Sequence, residues 1–228
     1  MEFIIIAIIM LLLIITLKIV FEYNVKELKK IGEDKELDEI AKKYPSNIEM
    51  CKAYLKKLNN EKVKIEENED TEASLYIAIT DKISIANIQS TYTRIQTIAH
   101  ECLHSIQDRK LLLFNFWFSN IYLIYFILSL GLCAFCSQYQ QIFFNILLLF
   151  SFVYYMVRAY LENDAMIKAR YLAKEYIEEI QISDKEEVRK LVTGFDKINK
   201  MGIKCVNYNL FLGVMIRLLI VCIICIIR

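Results

Sequence analysis

Proline and glycine are nearly missing from this chain, at one and five residues, and histidine occurs only twice. A soluble domain seldom combines so little of either with 56% hydrophobic and 24% charged residues. With two histidines, a zinc site built on three imidazoles is excluded. Charge of one sign is also missing: 28 Lys and Arg stand against 27 Asp and Glu, and a net charge of +1 gives no support for nucleic-acid binding. There is no internal repeat, no low-complexity tract and no carboxylate pair inside an apolar block, which argues against a transporter or channel component.

Cysteine is present, at seven residues, but without the setting that would make it a disulfide framework or a redox centre. Cys133-x-x-Cys136 and Cys222-x-x-Cys225 lie in apolar runs with nothing polar or basic to stabilise a thiolate, so they read as small hydrophobes of membrane helices. Cys51, Cys102 and Cys205 fall in segments expected in the cytoplasm, where stable disulfides are uncommon.

The apolar residues are gathered in four blocks: Phe3 to Phe21, Leu111 to Cys136, Gln141 to Val157 and Leu210 to Ile227. Each is long enough to cross a bilayer as a helix. No basic residue precedes the first block and no small-x-small cleavage pattern follows it, so it is expected to be a spanning helix rather than a secretory signal peptide. The second and third blocks, joined by Ser137-Gln138-Tyr139-Gln140, read as a transmembrane hairpin. Arg217 in the fourth block is expected to face other helices, a lipid headgroup or water. The fold class expected is therefore mainly α: an integral membrane protein with about four transmembrane helices and a small cytoplasmic α+β part. The implied division is 1–22 (first span), 23–110 (cytoplasmic segment with the motif helix described below), 111–157 (hairpin), 158–208 (cytoplasmic helices) and 209–228 (fourth span).

All Lys and Arg except Lys18, Arg217 and Arg228 lie in the two long polar segments. Cations near span ends are retained in the cytoplasm, so both segments are expected on that side of a cell membrane. Abundant Ile, Lys and Asn with little Pro and Gly resembles proteins of AT-rich bacterial genomes.

Within the first polar segment, Val25 to Lys43 and Asn47 to Leu58 carry a helical period and are separated by Pro45. The period then changes. Val63 to Ile65, Ser74 to Ile79 and Ile83 to Ile85 are apolar or alternating, with Thr80-Asp81-Lys82 as a turn, which predicts a small β-element. From Ile88 or Ser90 a helical period resumes, with Ile95, Ile98, Ala99, Cys102, Leu103 and Ile106 on one face, and is expected to run on into the second span. After the third span, Tyr160 to Ile180 predicts a helix, and Ser183-x-x-Glu186 predicts a capping box opening another to about Lys200.

The chemistry lies in His100-Glu101-Cys102-Leu103-His104. Residues four apart share a helix face, so both imidazoles can bind one zinc while Glu101 contacts a metal-bound water. Such a pattern arises by chance in many proteins. Here the only two histidines of the chain stand in that spacing with Glu after the first, which makes coincidence a weaker account. A catalytic zinc needs a third protein ligand and an open position. It must be a carboxylate or a cysteine on the same side of the membrane, and the hairpin brings the carboxylates Glu162 and Asp164, at the end of the third span, back to His104. Taken alone, either carboxylate would read as part of a solvated helix N-terminus.

The stretch Tyr92 to Gln107, with His100-Glu101-x-x-His104-x-Ile106-Gln107, followed past a hairpin by Glu162-x-Asp164-Ala165, resembles the YugP-type membrane zinc metallopeptidases. The likeness covers roughly 47–172. More distantly, Glu162-x-x-Ala165 is similar to the third-ligand helix of HtpX-type and CAAX-prenyl-protease peptidases, gluzincins of the zincin-like class. The resemblance implies a zincin-like cytoplasmic part with Zn²⁺ held by His100, His104 and Glu162, Glu101 as catalytic base, and Ala165 as a small residue packed near the site. That pattern has an aspartate where this chain has Met166, and Asp164 is a substitute for it or an alternative ligand. Cys102-Leu103 stands where the YugP type commonly has small residues. The implied function is hydrolysis of peptide bonds in membrane or membrane-proximal proteins, by Glu101-assisted attack of zinc-bound water. An extended substrate would add to the sheet edge near Leu75 to Ile79, and Arg170 is one candidate oxyanion donor. The alternative is a non-catalytic zinc-binding membrane scaffold or regulator, with Asp164 or Cys102 as a fourth ligand.

Overall fold

A computed structural model of the chain describes residues 1–68, 70, 71 and 73–228. It is mainly helical. The elements run α1 (Glu2–Val20), α2 (Val25–Gly32), α3 (Lys35–Ala41), α4 (Asn47–Lys57), β1 (Lys64–Asn68), β2 (Leu75–Ile77), β3 (Lys82–Ala86), α5 (Arg94–His104), α6 (Arg109–Phe135), α7 (Gln140–Ile180) and α8 (Lys185–Ile227). A single 3₁₀ turn, Ser137–Tyr139, joins α6 to α7. Four helical segments, those containing α1, α6, α7 and α8, are long and apolar enough to cross a membrane. By its internal contacts the chain divides into two units, 1–23 with 114–160 and 204–228, and 24–113 with 161–203.

The first unit is built from apolar helices that bury little of themselves. Of α1 only Met10 is buried, while Ile5, Ile8 and Leu12 stay more than half exposed, as lipid-facing side chains would. Its interior gathers Tyr122, Cys133, Phe144, Leu147, Leu218, Val221 and Cys222. Arg217 faces helices: its guanidinium lies 5.1 Å from the centre of the Tyr122 ring and 5.8 Å from that of Tyr154. Stacking on aromatic faces is how a cation is carried among apolar side chains. All seven cysteines are free.

The second unit packs α3, α4, α5 and parts of α7 and α8 with a three-stranded mixed sheet of order β1-β3-β2. β3 is central, parallel to β1 with Ile65 opposite Ile83, and antiparallel to β2 with Tyr76 opposite Ile83. Its β-branched Ile83 and Ile85 are fully buried, as a middle strand requires. The expected strand from Ser74 to Ile79 is shorter, because Ala78 to Asp81 form the turn into β3, with Asp81 at φ 49°. A short side chain that can bond locally makes Asp tolerable there.

Several sequence expectations about helix boundaries need correction. The helix from Val25 to Lys43 is two helices, because Asp34 accepts the amides of Glu36 and Leu37 and starts α3 afresh. The motif helix begins at Arg94, later than expected, and ends at His104 instead of entering the second span. Asp108 caps the next helix by accepting the amides of Lys110 and Leu111, and residues 105–108 form a bend. Conversely, α7 and α8 each run without interruption through the expected boundaries near Val157 and Lys200, since no proline stands there to stop them. The cap of α8 is Asp184, not Ser183, with Oδ1 accepting the amides of Glu186 and Glu187. Gly202, inside α8, lies close to α7: a Cβ there would stand 2.9 Å from the terminal methyl of Met166, which a flexible side chain can move aside.

Candidate metal centre

Helix α5 is set by an apolar stripe. Ile95, Ile98, Ala99 and Cys102 are wholly buried at helical spacing, which turns His100 and His104 to the neighbouring face. Buried hydrogen bonds lock its rotation. Tyr54 of α4 donates to the Ile95 carbonyl at 3.0 Å, and Arg94 donates to the carbonyls of Ala41, Tyr44 and Pro45 and to the Asn47 amide oxygen. On α7 Ala165, Ala169 and Ala173 are buried in the same core and Leu161 is buried one turn before them, leaving Glu162 beside that stripe. Ala165 is thus the small packed residue expected.

These two helices bring His100, His104 and Glu162 together, with one ligating atom of each lying within 4.8 Å of the others. The two Nε2 atoms are 3.0 Å apart, and Glu162 Oε2 is 3.4 Å from His100 Nε2 and 3.6 Å from His104 Nε2. Side-chain exposures of 18%, 11% and 16% make the group largely buried while solvent still reaches it. It is the kind of donor set that could hold a metal ion: two imidazoles and one carboxylate converging on a point.

Glu101 lies alongside, with Oε1 4.0 Å from His100 Nε2 and Oε2 accepting the Tyr76 amide of strand β2 at 2.7 Å. Burial pushes the Glu101 carboxyl above its ordinary range, against the lowering pull of both histidines and of the Tyr76 bond. For His104, burial pulls the imidazolium down, but the hydrogen bond and charge of Glu162, the charge of Glu101 and the Gln107 contact together push it above the ordinary value. Two carboxylates thus ask for positive charge at this point, which a proton or a divalent cation would supply.

Asp164 is not in the converging group. Its Oδ1 is paired with Lys168 at 2.6 Å and its Oδ2 accepts Gln107 Nε2 at 3.1 Å; burial raises this carboxyl, and those two bonds outweigh it and hold it below the ordinary range. Cys102 points elsewhere, its Sγ 3.5 Å from Cys51 Sγ in the core. Arg170 bonds Asp196 and the Tyr171 hydroxyl and lies over the Tyr171 ring. Sequence reasoning gave no role to Gln107, which contacts His104 Nδ1 at 2.8 Å. The signal available was its position, three residues after His104 in a stretch where the helix had been expected to continue. Compared with known proteins, the chain matches no family model, no curated protein and no solved structure.

Proposed function

We propose that this protein is a membrane-embedded zinc metallopeptidase, cutting peptide bonds of membrane or membrane-proximal proteins near the cytoplasmic face, with His100, His104 and Glu162 as ligands and Glu101 as general base. The observation that carries this reading is the convergence of those three side chains with a fourth, non-ligating carboxylate beside them. The donor set fits the ion in size. A tetrahedral zinc with bonds of about 2.1 Å keeps its ligand atoms roughly 3.4 Å apart, and the separations here are 3.0, 3.4 and 3.6 Å. Both candidates for a fourth protein ligand, Asp164 and Cys102, are engaged elsewhere. That leaves a position for water, as a catalytic site needs and a structural site does not. The likeness of Tyr92 to Gln107 and of Glu162 to Ala165 to YugP-type metallopeptidases supports the same reading.

Bound there, zinc would supply Lewis acidity, making water nucleophilic at neutral pH and polarising a scissile carbonyl. Glu101 takes the proton from the attacking water and delivers it to the leaving amine; its raised pKa suits a group that must do both. Tyr76 holds one Glu101 oxygen through its backbone amide, so the base is anchored to strand β2 with the other oxygen turned toward His100. β2 is an edge strand, and an extended peptide lying along that edge would pass beside Glu101, although the Tyr76 amide there is already given to Glu101. Location at the membrane is supported by α7, which carries Glu162 just past the apolar block that ends at Val157. The test is cleavage of a broad peptide library by purified full-length protein with zinc. Wild type should cut and Glu101→Gln should not. Equal rates for the two would remove Glu101 as base.

A further inference from the structure

Gln107 stands in the bend between α5 and α6, and both ends of its amide are used. Nε2 donates to the Leu161 carbonyl at 2.8 Å and to Asp164 Oδ2 at 3.1 Å. Both partners are acceptors only, and the other Asp164 oxygen is held by Lys168. An amide turned the other way would set its oxygen against two oxygens, so the orientation is fixed. Oε1 therefore faces His104 Nδ1, at 2.8 Å, and can only accept. In the neutral ring the proton must then sit on Nδ1 and the lone pair on Nε2, which is the atom turned toward His100 and Glu162.

We propose that Gln107 is a positioning residue that holds His104 in its metal-ready tautomer and ties that ring to the turn of α7 bearing Glu162. This deepens the metallopeptidase reading and rests on it for the identity of the ion. Leu161 and Asp164 flank Glu162, so one side chain spaces the second histidine from the third ligand. Asp164 acts at one remove: it fixes the amide, and the amide fixes the imidazole. The function that a carboxylate next to a ligating histidine would serve is here divided between a neutral amide and an acid behind it. Without Gln107, the Nε2–H tautomer would become available to His104, and that form places a proton where a ligand lone pair is required.

The experiment uses full-length protein in detergent with ¹⁵N-labelled histidine, stripped of metal, at alkaline pH. Only two histidines contribute signals, so the nitrogens of His104 can be assigned against a His100→Ala variant. Wild type should show His104 protonated at Nδ1 and unprotonated at Nε2. Gln107→Leu should shift it toward the other tautomer and lower zinc affinity, measured by chelator competition, by roughly 10- to 100-fold. Gln107→Glu keeps an acceptor for the Nδ1–H but no donor for Leu161 and Asp164, so it should keep the tautomer and lose less affinity. It also serves if Gln107→Leu does not fold. A wild-type His104 protonated at Nε2, or a Gln107→Leu protein with an unchanged tautomer and zinc affinity within about twofold of wild type, overturns the inference. A wild type with the expected tautomer that takes up no zinc supports the inference while overturning the peptidase reading.

Discussion

The two ends of helix α5 each bury a charged side chain and treat it in opposite ways. At the N-terminal end Arg94 is wholly buried, and its two terminal nitrogens reach four acceptors at 2.8 to 3.1 Å, closing off the C-terminal end of α3. Two turns on, Glu101 is 6% exposed and receives one backbone amide, while its other oxygen looks across 4.0 Å at His100. Both terminal nitrogens of Arg94 are paired within the fold, although its Nε is buried without a partner, whereas Glu101 has one oxygen bonded and the other turned toward His100. The same helix thus carries a structural anchor near one end and, on the proposed reading, the general base near the other.

That contrast makes different demands on substitution. Glu101→Gln should reduce peptidase turnover by about 10²- to 10⁴-fold yet leave the metal-free fold as stable or firmer by about 1 kcal/mol. The sign follows from the raised carboxyl pKa. A group raised in the folded state contributes stability below its unfolded value of 4.5 and loses that contribution as pH rises through the folded value, so the charged Glu101 is a cost at neutral pH. Denaturant unfolding of the two metal-free proteins checks it, and a clearly less stable variant would put Glu101 among the structural residues. Arg94→Met should do the reverse. It takes the donor from the Tyr44 and Pro45 carbonyls and from Asn47 Oδ1, while the Ala41 carbonyl keeps the Tyr44 amide, and should cost about 3 kcal/mol of unfolding free energy, with zinc binding per folded chain unchanged.

A smaller effect concerns pH. His104 is raised above 6.5 in the metal-free fold, so its protonation contributes stability below 6.5 and that contribution is lost as pH rises through the raised value. Protons and metal compete for the same nitrogen. The thermal shift on adding zinc should therefore grow as pH rises through this window and shrink on acidification, beginning above the pH at which an ordinary histidine would titrate. A shift independent of pH there would mean that the metal is held by other groups. The smallest effect is expected at Cys102→Ala, about 1 kcal/mol of packing loss with unchanged zinc affinity; a drop in affinity would mean that the thiol is a ligand after all.

Much of this was legible in the sequence because the relevant signals are local or periodic. Four apolar blocks give four long helices, and the spacing of His100, Glu101 and His104 needs only a helix to become a site. Glu162 was reachable because a hairpin returns the chain to where it left. What escaped is set by single polar side chains acting across the fold. Asp34 and Asp108 break helices whose apolar faces continue past them, and no pattern of hydrophobicity registers a cap. The absence of a breaker near Val157 and Lys200 was there to be read, but changes of composition from apolar to charged suggested boundaries that a helix does not require. Arg94 reads as an ordinary surface cation, and only the tertiary fold supplies the carbonyls that bury it. The role of Gln107 depends on Leu161 and Asp164, which fix its amide from across the fold.

The central claim is that two imidazoles and the Glu162 carboxylate hold one zinc with room left for water. Zinc K-edge X-ray absorption on the purified full-length protein tests it most directly. The account expects one zinc per chain with a shell of nitrogen and oxygen only, at about 2.0 to 2.2 Å and including two imidazoles. A sulfur shell near 2.3 Å, or a protein that takes up no zinc, would contradict it.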